Sequence, residues 1–289
     1  MAVQTSTSGN LQKMTRILLA QARYTEEHNA PMIGLIEKFN LGSGEYKLEI
    51  PKVAQMDAED LAEGQDMIDS EDIDVSTVTA TTAEVGLKVI VTDTLLRQNN
   101  EDVYKIIGRQ MGDARARKKD NDIIALFPTL NGGTVLGADG AELTLAFASA
   151  LIATAKADQF GTNIFAVHHP NAIWKLASGV GNTLATYPLP DAFNKPAVKD
   201  YWTGIKISGG PFFEDGNIAK IGTTDSGYGV IADKTAMGHL SASGRSEERE
   251  RDASLRAYEV VVTEDYAVFE VDDTRGAATR QEIGNPATA

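Results

Sequence analysis

The chain has 289 residues, with 41 acidic against 27 basic side chains, a formal charge of -14, four histidines and no cysteine. A hydrophobic share of 42% with 24% charged residues is that of a folded protein, long enough for one large domain or two intimate ones. The missing thiols exclude disulfides, a thiol nucleophile and thiolate metal sites, and the acidic balance excludes a general nucleic-acid binder.

No run of about 18 apolar residues is present to span a bilayer, and the opening MAVQTSTSGNLQKM is no signal peptide. The charge is uneven. Residues 1–92 carry a net -8, residues 93–127 a net +1 and residues 128–289 a net -7.

Two helices are expected over 10–41. Leu11, Met14, Ile17, Leu18 and Ala22 recur at helical spacing after Ser8 or Asn10. Pro31 suits the first turn of a second helix carrying Ile33, Leu35, Ile36 and Phe39, stopped by GSG at 42–44. Tyr46, Leu48 and Ile50 then alternate with Lys47 and Glu49, and Pro51 restricts this strand to an edge or a free ribbon.

Residues 57–74, DAEDLAEGQDMIDSEDID, hold nine carboxylates and neither Lys nor Arg. Thr77, Thr79, Thr81 and Thr82, then Val85, Leu87, Val89 and Val91, restore β alternation. The pattern predicts a long hairpin over 45–92 with an acidic tip. A two-stranded ribbon is marginal alone, so it needs a surface to lie on.

Residues 93–127 predict the longest helix, capped by Asp93 or Asn100 and closed by Pro128. Val103, Ile106, Ile107, Met111, Ala114, Ile123, Ile124 and Phe127 form its apolar face, and Lys105, Arg109, Arg115, Arg117, Lys118 and Lys119 its polar one. From 100 to 127 it would run about 42 Å.

After the glycine-rich turn at 130–140 come a helix over 142–157, a buried strand IFAVHH (164–169) and a helix NAIWKLAS (171–178). A loop-rich stretch is expected from Gly179 to Tyr201. Short strands follow in GIKISGGPFF, NIAKIG and GYGVIADKTAMG, with a turn at Asp215-Gly216. The charged stretch SEERERDASL at 246–255 leads to YEVVV (258–262), a turn at Thr263-Glu264-Asp265, and YAVFEV (266–271), a hairpin. The tail from Thr274 reads as polar and frayed.

Candidate chemistry is sparse. His168 and His169 are adjacent in a strand and point to opposite faces, which predicts one buried and one exposed ring, not a metal pair. GVGNTLATY (179–187) lacks the Gly-Lys-Ser/Thr ending of a phosphate loop. The acidic run does not fit the twelve-residue calcium loop, so it is either a solvated tip or one that docks on a basic surface. RARKK (115–119) is flanked by Asp113, Asp120 and Asp122, a pattern of local helix-face pairs. No catalytic constellation, cofactor site or metal site emerges.

The order of elements resembles the major capsid proteins of tailed bacteriophages, with the Hong Kong 97 (HK97-like) fold of the α+β class. VIVTDTLLRQNNEDVYKIIGRQMGDARARKKDNDIIALF is similar to that family's entry into its spine helix. FAVHHPNAIWKLAS and GIKISGGPFF are similar to its axial domain, and YEVVVTEDYAVFEVDD to its last hairpin. The resemblance implies an N-terminal arm at 1–44, an extended loop at 45–92, a peripheral domain from 93–131 plus 243–289, and an axial domain at 132–242.

It further implies hexamers and pentamers tiling an icosahedral shell around double-stranded DNA, in a virion assembled in the host cytoplasm. The expected partners are further copies of the chain, a portal, decoration proteins and a separate scaffolding protein, because the sequence begins almost directly with the arm; no membrane is involved. Inter-subunit contact is expected between Asp57, Glu59, Asp60, Glu63, Asp66, Asp69, Glu71, Asp72 and Asp74 of one copy and Arg109, Arg115, Arg117, Lys118 and Lys119 of another. Residues 57–74 lack the Lys that cross-links the founding member's shell, so no covalent cross-linking is expected. The alternatives are an encapsulin-type compartment, or a soluble α/β enzyme with its site in the 179–240 loops.

Overall fold

The computed structural model describes residues 31–42, 44–53, 75–98, 102–186, 205–207, 209–222 and 224–286. The helix expected near 10–30, the acidic segment 57–74 and most of the loop expected before Tyr201 lie outside the described residues.

A short helix α1 (Met32–Leu35) leads into strand β1 (Glu37–Asn40), which runs parallel to β10 (Met237–Asp252) with Phe39 beside Leu240. The second helix expected through Phe39 therefore stops at Leu35. From Glu37 to Asn40 the side chains alternate between half-buried and exposed, the period of a strand. β10 pairs with β11 (Ala257–Glu270), and β11 with β4 (Ala83–Thr92), closing a four-stranded sheet ordered β1-β10-β11-β4.

Two corrections fall on this sheet. No turn interrupts residues 263–265, because β11 runs through them and the reversal lies at 253–256, where Asp252 accepts from the Ser254 and Leu255 amides. The predicted 45–92 hairpin also divides. Strands β2 (Lys47–Val53) and β3 (Val75–Thr81) form a separate two-stranded ribbon, while β4 belongs to the large sheet.

Helix α2 (Asp93–Gln98) precedes the long helix α3 (Asp102–Ile124), about 34 Å at 1.5 Å per residue and shorter than the expected span. α3 lies on one face of the four-stranded sheet, with Ile107 and Met111 against Leu87, Val89, Val260 and Val262. The opposite face, carrying Leu240, Ala267 and Phe269, receives the ribbon. The β11 alternation thus serves two layers.

The second sheet has six strands, ordered β5-β12-β9-β6-β8-β7. These are β5 (Leu136–Gly137), β6 (Ile164–His168), β7 (Ile205–Ile207), β8 (Gly210–Glu214), β9 (Ser226–Asp233) and β12 (Gly276–Glu282). Helices α4 (Leu145–Ala157) and α5 (Pro170–Thr186) cover one face, meeting Ile164, Ala166, Ile231 and Ala277. The other face meets the end of α3: Phe165, Val167, Val230 and Ala278 pack with Met32, Ile123, Phe127 and Met237. Burial on both faces explains the uninterrupted apolar run in β6.

Three further expectations change here. The tail from Thr274 is not frayed: β12 lies between β5 and β9, with Ala277, Ala278 and Thr279 buried. The loop expected from Gly179 is helical as far as Thr186. NIAKIG forms only an isolated bridge between Lys220 and Gly227.

Candidate assembly interface

The ribbon is two-faced by register. Leu48 opposes Ala80, Ile50 opposes Val78 and Lys52 opposes Ser76, and this set turns toward the sheet. Leu48, Ile50, Val78 and Ala80 pack with Phe39, Leu240, Phe269 and Val271, so the ribbon's root lies on its own chain. Lys52 Nζ donates to Asp272 Oδ1 at 2.6 Å. Burial pushes the Asp272 carboxyl up, but hydrogen bonds from Lys52 and Thr274 outweigh it and hold it below its ordinary value.

At the last described rung, Val53 and Val75 are 56% and 50% exposed. Among the described residues nothing buries this rung, which borders the segment 54–74 in sequence. Replacing Lys52 with Ala is expected to cost about 0.5–1 kcal/mol and to speed hydrogen exchange along β2 and β3. Unchanged exchange there would contradict this anchoring role.

The cations of α3 divide by direction. Arg115 and Lys119, one turn apart, both reach Glu264 on β11, and all three side chains are less than one-fifth exposed. Lys119 also stands over the Tyr266 ring at 5.2 Å, while Tyr266 donates to Asp122 Oδ2 at 2.7 Å. Burial, then the Asp122 carboxylate, pushes the Tyr266 phenol up. His239 stacks on Tyr266, and burial together with Lys119 pushes its imidazole down. On the outer side Lys118 pairs with Asp122 four residues on, and Arg109 and Arg117 are exposed.

The structure therefore brings Arg115 and Lys119 together against their own sheet and leaves Arg109, Arg117 and Lys118 outside that cluster. The signal for this split is present in the sequence: Met111, Arg115 and Lys119 fall on one stripe at steps of four. The nine carboxylates from Asp57 to Asp74 lie outside the described residues.

The two adjacent histidines have structural roles. His168 is buried, with Nδ1 3.0 Å from Gln281 Oε1, and burial pushes it down to about 4 against the opposing effect of that hydrogen bond. His169 is half-buried and accepts from the Asn171 amide at 3.1 Å, capping α5 ahead of Pro170. A cleft of about 390 Å³ is lined by Asp139, Thr224, Asp225, Ser226 and Glu282. Its carboxylates are paired with Arg280, Lys220 and Lys175 respectively. Among the described residues no three His, Cys, Asp or Glu side chains group as metal ligands.

The family model described as phage capsid protein matches residues 75–279, more than two thirds of the chain. The chain belongs to the phage capsid protein family. Its fold is similar to the solved structure described as Mycobacterium phage Che8, at 15% identity and a TM-score of 0.66, over 89% of this chain and 93% of that one. It is also similar to the acidic stable capsid structure of Helicobacter pylori bacteriophage KHP30, at 9% identity and a TM-score of 0.69, over 90% and 93%. A third similar structure is the capsid of cyanophage P-SCSP1u, at 15% identity and 0.65, over 91% and 90%. No curated protein matches. The fold is HK97-like, and the chain is a capsid shell protein.

In this capsid chain some residues that fix element positions carry no local signal in the sequence. Glu264 has the local pattern of a turn residue, and its role comes from partners 145 and 149 positions away. Asp120 and Asp215 have the local patterns of a helix-surface and a turn residue, yet both are buried. Nothing local marks either as interior.

Proposed function

We propose that this capsid protein assembles as hexamers and pentamers into a closed icosahedral shell around double-stranded DNA. The observation that carries this reading is the ribbon: its root is seated on its own sheet, while Val53 and Val75 at its far end are largely exposed. The acidic residues Asp57 to Asp74 follow in sequence and complement the outward cations Arg117 and Lys118 of a neighbouring copy's long helix. Exposed pairs contribute only about 0–1 kcal/mol each, so their collective effect is to set register between subunits.

The four-stranded sheet with α3 then corresponds to a peripheral domain, and the six-stranded sheet with α4 and α5 to an axial domain that includes β12. The arm at 1–44, a separate scaffolding protein, a portal and decoration proteins complete the assembly, in the host cytoplasm and then the virion. The role is self-association rather than turnover. Native mass spectrometry of dissociated particles is expected to give species at six and five times the 31.0 kDa chain mass. Dimers or trimers as the sole building units would contradict the reading.

The shell is held without covalent cross-links. Lys52 is engaged by Asp272, and residues 57–74 contain no Lys. Boiled particles are expected to migrate in denaturing gels as single chains, and a ladder of multiples would contradict this.

A further inference from the structure

Asp120 on α3 and Asp215 after β8 are each 1% exposed, and Asn217 holds their carboxyl groups side by side, its side-chain amide donating to one and its backbone amide to the other. Three of the four oxygens are satisfied by N–H donors. Asp120 Oδ1 accepts from the Met32 amide at 3.2 Å, and Asp120 Oδ2 from Asn217 Nδ2 at 3.0 Å. Asp215 Oδ1 accepts from the Asn217 amide at 2.8 Å. Asp215 Oδ2 is buried with no N–H or O–H partner. Two buried carboxylates held on one asparagine repel unless one carries a hydrogen.

We propose that Asp120 and Asp215 share one proton and form a latch joining the N-terminal segment, the long helix and the six-stranded sheet. The same three segments meet in the apolar core beside it, through Met32, Ile123 and Ile218. The Asp215 amide donates to the His168 carbonyl at 3.0 Å, which ties the latch to central strand β6. The bond is a protonated Asp215 Oδ2 donating to the Asp120 carboxylate. Loss of that proton to solvent hydroxide leaves two facing carboxylates in a dry site, and the three segments separate locally.

A cation accounts for the site less well, because a hard divalent ion takes six to eight oxygens and the N–H donors already occupy three of these four. The other titratable groups on the elements that meet here are engaged or exposed. On α3, Lys119 pairs with Glu264, and Asp122 with Lys118 and Tyr266. On β6, His168 bonds Gln281; on β8, Glu214 is exposed; α1 carries no charged side chain.

Burial, then Asp120, raises the Asp215 carboxyl from 3.8 to about 8. Between those values the folded chain holds a proton that the unfolded chain has released, so stability falls as pH rises toward 8 and levels above it. His168 and His239 are lowered, and they act with the opposite sign only below their ordinary 6.5. The window from pH 7 to 9 therefore isolates the latch.

In that window the full chain is expected to lose about 3 °C in melting temperature. The exchange of the Met32 amide should accelerate in parallel. Asp215→Asn, which supplies an N–H donor in place of the O–H, should abolish both responses. Infrared spectroscopy of the unsubstituted chain provides a readout that does not depend on the variant folding: a protonated carboxyl C=O band present at pH 7 and lost by pH 9. Absence of that band at pH 7 overturns the proposal, as does the same pH response in Asp215→Asn. A melting temperature raised by Ca²⁺ or Mg²⁺ and lowered by chelator would assign the site to a cation instead.

Discussion

Reversing Arg115 and Lys119 to Glu is expected to unfold the chain, whereas reversing Arg117 and Lys118 is expected to leave it folded and unable to form shells. The inward pair flanks Glu264, whose side chain is 12% exposed, and reversal would place three carboxylates in one partly buried site. Breaking a buried pair alone costs about 3–5 kcal/mol, a large share of the ~5–15 kcal/mol that holds most domains folded. Arg117 and Lys118 are exposed, and the pairing of Lys118 with Asp122 contributes only about 0.3–0.5 kcal/mol. Circular dichroism separates folding from assembly for each double variant. A folded Arg115/Lys119 variant would contradict the internal role, and normal shells from the Arg117/Lys118 variant would contradict docking by the acidic segment.

A single methyl group at position 229 is expected to be as damaging. Gly229 lies on β9 between β12 and β6, opposite Thr279. An added Cβ would stand 2.7 Å from the Val167 carbonyl and 2.8 Å from Thr279 Oγ1, and would also strike the His168 ring. The carbonyl belongs to a neighbouring strand and cannot retreat without breaking its ladder. Overpacking of this kind costs about 3 kcal/mol or more. The same change at Gly108, exposed on α3 with nothing near its Cβ position, should instead stabilise by about 0.5–1 kcal/mol. Opposite signs from one substitution are measurable by denaturant unfolding; equal effects would contradict this account of the sheet.

The sequence was most legible where periodicity was local. The alternation of Leu48 and Ile50 with charged neighbours identified β2, and Pro51 correctly restricted it to a ribbon. The long helix was visible in Ile107, Met111 and Ile123, and the apolar IFAVH in β6. Legibility failed where burial comes from distant partners. Thr263-Glu264-Asp265 looks like a turn because nothing nearby neutralises it, yet Glu264 meets Arg115 and Lys119 from another element. β12 looks like a tail because Ala277, Ala278 and Thr279 are small and weakly hydrophobic. They are interior because β12 is hydrogen-bonded between β5 and β9, with Ala277 and Ala278 opposite the buried Ile231 and Val230. Phe39 had helical spacing, but its environment is set by Leu240 and Phe269, some two hundred residues away.

The assembly claim is tested most directly by electron microscopy of the purified full chain across salt and protein concentration, alone and with the proteins expressed alongside it. Closed shells or capsomer rings of uniform size, with density continuing from the exposed end of one copy's ribbon onto the next copy's long helix, are the expected result. A chain that stays monomeric under all of these conditions, or particles in which each ribbon contacts only its own subunit, would contradict it.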